Sequence, residues 1–269
     1  MKKCLFLLLV LSIAAAGAGA QSSGLRPADP AALADPAAPA DPAAPANPAA
    51  PAAATPADAG TYLDSVKAEL RKQWPHNRTI NLVFHGHSVP SGYFKTPAVR
   101  TFDSYPYLVL KELKSLYPNA VINVIVTAIG GENSLQGAER FRDEVLPHRP
   151  DVLFIDYALN DRGPGIEKSR AAWEEMITEA LKRNIKIILL TPSPDLRVNI
   201  TEKGNELENF TGMIRGLAKK HRIGLADSYG QFRQVALADE DLREFMSQVN
   251  HPNKKGHELI AAEIMEYFK

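Results

Sequence analysis

The 269-residue chain contains a single cysteine, Cys4, which lies ahead of the first apolar run. Once the leader described below is removed, no thiol remains, and this excludes a disulfide framework and thiol chemistry. Charge of one sign is not in excess either. The 31 Lys and Arg side chains balance 31 Asp and Glu, so there is no electrostatic case for nucleic acid or for an anionic membrane surface as partner. Long apolar runs are missing as well. None reaches the ~20 residues that cross a bilayer, so no membrane span is expected in the mature protein.

What is present begins with an export signal. Lys2-Lys3, an apolar run from Cys4 to Ala16 and the small-residue site Ala18-Gly19-Ala20 predict a signal peptide over 1–20. The protein is therefore expected to be exported, to the periplasm or beyond the cell. Residues 21–60 read as a disordered Ala/Pro-rich linker, with four units opening Asp/Asn-Pro-Ala-Ala at Asp29, Asp35, Asp41 and Asn47. Such a segment has nothing to bury and favours polyproline geometry. At about 3.1 Å per residue it could hold a domain ~100 Å from an anchor. Residues 61–269 suit one domain.

Within that domain five apolar runs predict parallel strands covered on both faces: Ile80–Phe84, Val121–Val126, Val152–Asp156, Ile185–Leu190 and Ile223–Ala226. Helical spacing fills the intervals. Val109, Leu113, Leu116 and Tyr117 share one stripe, Trp173, Met176, Ile177, Ala180 and Leu181 a second, and Ile260, Ile264, Tyr267 and Phe268 a third. An opening helix is predicted from Tyr62, Val66, Leu70 and Trp74, and the aromatics and methionine of these stripes are expected in the core. Strand–helix alternation implies right-handed crossovers and a three-layer α/β/α sandwich around a five-stranded parallel sheet.

Chemistry concentrates at the strand ends. The first strand stops in Gly86-His87-Ser88-Val89-Pro90-Ser91-Gly92, and a serine just past a strand is held on a tight turn where ligands bind in open α/β sheets. Gly130-Gly131 follows the second strand and offers bare N–H donors. Asn160 follows the third, and His251 precedes the last helix. A serine nucleophile needs a base titrating near neutrality, which makes Ser88 and His251 the candidate catalytic pair. The amides of Ser88 and Gly131 and the side chain of Asn160 are candidate oxyanion donors. His85 and His87 form a His-x-His pair to which Asp156 and His251 could add metal ligands. That pattern is loose and leaves Ser88 idle, so His87 is read as lining the pocket mouth or donating to substrate, and His85 as packing under the turn.

In these four elements the chain resembles the SGNH (GDSL-type) hydrolase superfamily, over about residues 79–269. The resemblance rests on Ser88, on Gly131, on Asn160 in Ala158-Leu159-Asn160-Asp161, and on His251 in His251-Pro252-Asn253-Lys254-Lys255-Gly256-His257. It implies a flavodoxin-like fold, a serine esterase or lipase activity and no cofactor. Three positions depart from the family: His87 stands for the Asp before the serine, Ala158 for a glycine, and Gln248 for the Asp three residues before the histidine. In a serine triad that carboxylate fixes the imidazole tautomer. Two repairs are open. A backbone carbonyl or the Gln248 amide oxygen could accept the imidazole N–H, giving a Ser–His dyad, which is the preferred reading. A carboxylate from another loop, Asp161 or Asp241, is the other. The expected substrate is a small-molecule or polysaccharide ester, with O-acetyl groups on carbohydrate preferred. The same residues leave open an acyltransferase, a non-catalytic carbohydrate-binding module and a metal hydrolase.

Overall fold

The computed structural model describes residues 55–269, so the signal peptide and the linker as far as residue 54 lie outside the described residues. The Ala57 N–H donates to the Ile223 carbonyl at 3.0 Å, followed by two short helices, α1 (Ala59–Tyr62) and α2 (Asp64–Leu70). The single opening helix expected from the stripe is thus interrupted at Leu63 and stops at Leu70. Trp74, the last member of that stripe, is 85% exposed rather than core. Pro75 disfavours helical geometry in Trp74, the residue before it. Val66 and Leu70 are buried as the spacing requires.

The chain then alternates: β1 (Thr79–Gly86), α3 (Tyr105–Leu116), β2 (Val121–Val126), α4 (Ser134–Arg140), β3 (Val152–Asp156), α5 (Ile166–Leu181), β4 (Lys186–Leu190), α6 (Glu206–His221), β5 (Gly224–Ala226) and α7 (Ser228–Leu237). A two-stranded ribbon, β6 (Met246–Gln248) with β7 (His251–Pro252), leads into α8 (Lys254–Met265). The five long-sheet strands are all parallel, in the order β2-β1-β3-β4-β5. The winding reverses at β1, and the crevice outside the carboxyl ends of β1 and β3 is the topological switch point where such sheets take ligands.

Alternation along each strand divides the interior in two. Leu82, Phe84, Val152, Phe154, Ile188 and Leu190 face the side covered by α3, α7 and α8. Val83, Leu153, Ile155, Ile187 and Leu189 face α5 and α6. Phe84 and Phe154 pair across β1 and β3 with ring centroids 4.2 Å apart, and burying each ring contributes roughly 1.5–3 kcal/mol. Trp173, Met176, Tyr267 and Phe268 are buried, whereas Leu116, at the open end of α3, is half exposed.

Candidate active site

The turn after β1 is held from both ends. The His87 N–H donates to the Asp156 carbonyl (3.2 Å), the Tyr93 N–H to the Ser88 carbonyl (3.1 Å) and the Gly92 N–H to the Val89 carbonyl (2.9 Å). These bonds fix Ser88 over the carboxyl end of the sheet, nearly buried at 8% exposure. Its Oγ lies 2.8 Å from His251 Nε2, although 163 residues separate the two in the chain. His251 is carried by the β6–β7 ribbon. Ser247 Oγ ties that ribbon to the carbonyls of Phe94 (2.9 Å) and His251 (3.0 Å), and the Asn253 side chain caps α8 behind it through the Gly256 N–H (3.2 Å).

The position where the family keeps a carboxylate has a different arrangement. Gln248 Nε2 lies 2.5 Å from His251 Nδ1, while Gln248 Oε1 accepts the Thr96 N–H at 3.1 Å. The expectation that the amide oxygen receives the imidazole N–H is therefore corrected: the nitrogen end faces the ring because the oxygen end is taken. Nor does another loop supply a carboxylate. Asp161 is wholly buried, with its oxygens on the Ser134 N–H (2.7 Å) and the Trp173 indole N–H (2.7 Å), and burial raises its pKa. Asp241 is exposed and accepts the Arg243 N–H at 2.9 Å, as an N-cap. Burial depresses the His251 pKa first of all; the Phe94 carbonyl facing the ring opposes this, and His87 adds to it.

The expected oxyanion donors follow β1, β2 and β3 at the carboxyl end of the sheet. Gly131 has φ +82° and open space where a side chain would project, a conformation glycine adopts without strain. Among the described residues neither its N–H nor that of Ser88 has a protein acceptor. Asn160 Nδ2 donates one hydrogen to the Glu132 carbonyl at 2.9 Å, which locks the amide beside Gly131 and leaves its second hydrogen free. Residues that the sequence reading did not single out hold this loop. The Glu132 carboxylate receives Arg140 at two nitrogens and the Tyr157 hydroxyl at 2.8 Å, and that hydroxyl also meets the His85 ring at 3.1 Å. Glu132 and Tyr157 showed in advance only as polar groups just past apolar strands, and Arg140, which ends α4, bore no sign at all.

His87 does not line the pocket mouth, and this corrects the expectation. It is 1% exposed, with Nδ1 accepting the Val89 N–H (3.1 Å) and Nε2 turned towards Asp156 Oδ1 at 3.4 Å. The turn that projects Ser88 folds the preceding side chain inward. His85, Asp156 and His251 do not converge on a common point: the His85 ring faces Thr127 Oγ1 and the Gly137 carbonyl, and Asp156 Oδ2 accepts the Tyr105 hydroxyl. Among the described residues no three His, Cys, Asp or Glu groups are placed to share a metal ion.

Burial pushes His85 down to about 3, with Arg140 adding to the shift, and burial does the same to His257 beneath Tyr105. Both rings therefore fold neutral, and between pH 6.5 and 3 the unfolded chain binds protons that the folded one refuses. Stability is fully present above the unfolded pKa and falls with acidification. From pH 7 to pH 5 the loss is on the order of 2 kcal/mol for each histidine. Chemical denaturation at the two pH values checks this, and an unchanged unfolding free energy would contradict it.

The rim is asymmetric. Tyr93 rests against Gly130, where an added Cβ would come within 2.9 Å of its ring, and its centroid lies 6.0 Å from that of His251. Asn160 also lines a polar groove of about 590 Å³ with Arg162, Gly163, Arg197, Val198 and Glu206. Asp195, fully buried beneath it, pairs with Arg162 and Arg197. Burial alone would raise its carboxyl, but these guanidinium hydrogen bonds hold it down to about 2.

Comparison with known proteins places this geometry. A two-domain esterase active on acetylated mannans superposes with TM-score 0.63 at 20% identity, covering 78% of this chain and 54% of the other. The chain thus spans about half the length of that protein. An acetylxylan esterase from Geobacillus stearothermophilus superposes with TM-score 0.59 at 20% identity, covering 70% and 94%. A GDSL-like lipase from Parabacteroides merdae gives 0.59 at 18% identity, covering 70% and 95%. These likenesses show the α/β fold expected from the strand–helix alternation. No curated protein matches in sequence. The model of the GDSL-like lipase/acylhydrolase family matches residues 84–259, well over half of the chain. The chain belongs to the GDSL-like lipase/acylhydrolase family.

Proposed function

We propose that the protein is an exported serine esterase that removes short acyl groups, acetyl first among them, from oxygen esters on carbohydrate. The observation that carries this reading is the 2.8 Å approach of Ser88 Oγ to His251 Nε2 beside unpaired N–H donors. Ser88 Oγ attacks the ester carbonyl carbon and its proton passes to Nε2. The carbonyl oxygen, now anionic, receives the N–H groups of Ser88 and Gly131 and the spare Asn160 hydrogen. Collapse breaks the carbon–oxygen bond to the alcohol, which leaves with the proton from Nε2. Water then adds to the acyl-enzyme, passing a proton to Nε2, and the bond to Ser88 breaks as Oγ takes that proton back. The acid is released, and the cycle calls on no group beyond this chain and water.

The asymmetry of the rim supports the substrate class. Tyr93 narrows the space against Gly130 and His251, which suits a small acyl group. The groove beyond Asn160 presents balanced guanidinium and carboxylate groups to a polyhydroxyl alcohol. Esterases active on acetylated mannan and acetylxylan share the fold, and the leader over 1–20 supplies the argument for export.

Purified protein offered p-nitrophenyl esters of increasing chain length is expected to cleave the acetate fastest and to lose rate steadily with each added pair of carbons. A fluorophosphonate should stop the reaction by labelling Ser88. An enzyme that prefers long chains would overturn the substrate class, and absence of both turnover and labelling would overturn the function.

A further inference from the structure

The contact between Gln248 and His251 carries a consequence for the proposed chemistry. A glutamine amide has one accepting end and one donating end, and a backbone N–H can only donate. The Thr96 N–H, 3.1 Å from Gln248 Oε1, therefore decides which way the amide points. Its nitrogen is left facing His251 Nδ1 at 2.5 Å, with Thr96 Oγ1 at 3.4 Å on its other side. Thr96 is itself held in place. It sits in a hairpin closed by the Tyr93–Val99 bridge and by the Phe94 N–H on the Ala98 carbonyl (2.9 Å), with the Arg100 guanidinium 3.7 Å over the Phe94 ring.

A ring nitrogen that accepts a hydrogen bond carries no proton, so a neutral His251 facing this donor keeps its hydrogen on Nε2. Nε2–H then donates to Ser88 Oγ, the reverse of the direction needed for attack. We propose, resting on the esterase reading above, that Gln248 is a positioning residue which, pinned by Thr96, holds resting His251 in the Nε2–H tautomer, so that turnover proceeds from a minor Nδ1–H population. Reaching that minor form requires the amide to turn aside from Nδ1. A carboxylate at position 248 would change the balance. It accepts at both oxygens, so one could keep the Thr96 N–H while the other takes Nδ1–H and fixes the productive tautomer. In a serine triad the exchange of carboxylate for amide leaves geometry intact and lowers kcat by about 10⁴ through the wrong tautomer.

Gln248→Glu tests this in the full chain. It is expected to raise kcat on p-nitrophenyl acetate by roughly tenfold or more at little change in KM. The acid limb of the pH–rate profile should also move upward, because a carboxylate stabilises the imidazolium. The other titratable groups around the ring are His87, His257 and Tyr93, none of which the substitution alters. Nitrogen-15 spectra of histidine-labelled protein read the tautomer directly: Nε2 protonated in the wild type, Nδ1 protonated in Gln248→Glu. Gln248→Met, which removes the donor without adding charge, serves if the glutamate variant fails to fold; it should release the ring towards Nδ1–H. A wild-type ring protonated on Nδ1, or a folded Gln248→Glu with kcat at or below wild type, overturns the proposal. The spectra test the tautomer even if the protein hydrolyses nothing, so failure of this inference and failure of the esterase reading are told apart.

Discussion

Ser88→Ala is expected to lower kcat/KM for ester hydrolysis by about 10⁴- to 10⁶-fold while leaving the fold intact. In the proposed mechanism Oγ forms the acyl bond, and without it only water is left to attack. The remaining N–H donors would still bind an anionic oxygen, so a residual rate above the uncatalysed reaction should persist. Stability should change by less than about 1 kcal/mol, because the hydroxyl's side-chain partner is His251 and an alanine there leaves no other group unpaired. Steady-state kinetics on p-nitrophenyl acetate, together with loss of fluorophosphonate labelling, check the expectation. Retention of more than a few per cent of the activity would show that the nucleophile is another group.

Asn160→Ala should cost about 10²–10³ in kcat with KM little altered. One amide hydrogen of Asn160 is committed to the Glu132 carbonyl, which keeps the side chain beside Gly131; the other is free for charge that develops only in the transition state. Such an interaction contributes little to the bound ester, so its removal should appear in kcat. Asn160→Asp should be worse still, since it turns an acceptor towards an oxyanion. A loss confined to KM would instead make Asn160 a substrate-binding group and leave the backbone amides of Ser88 and Gly131 to hold the charge.

Much of this arrangement could be read before any coordinates. Runs such as Val121–Val126 and Val152–Asp156 coincide with strands because a parallel strand buried on both faces needs continuous apolar residues. Ser88, Gly131 and Asn160 follow three such strands, so a parallel sheet must bring them to one edge. What escaped depends on long-range packing. Trp74 completes a helical stripe, yet the helix ends at Leu70, four residues short of it. His87 stands beside the serine in sequence but points into the interior beneath it. Gln248 was visible as a departure, but the sense of its amide is set by Thr96, 152 residues earlier. Glu132, Arg140 and Tyr157 bear no motif, and their joint role emerges only when β2 and β3 lie alongside β1.

The hairpin from Tyr93 to Val99 has a mechanical meaning. At its base Tyr93 covers the space beside Gly130, and its backbone grips the histidine ribbon twice, at Phe94 through Ser247 and at Thr96 through Gln248. Tyr93 and the ribbon that carries His251 are therefore linked through one short hairpin. Under the proposed esterase reading, an acyl chain long enough to displace the tyrosine is expected to disturb the imidazole as well, so that excess length lowers kcat in addition to raising KM.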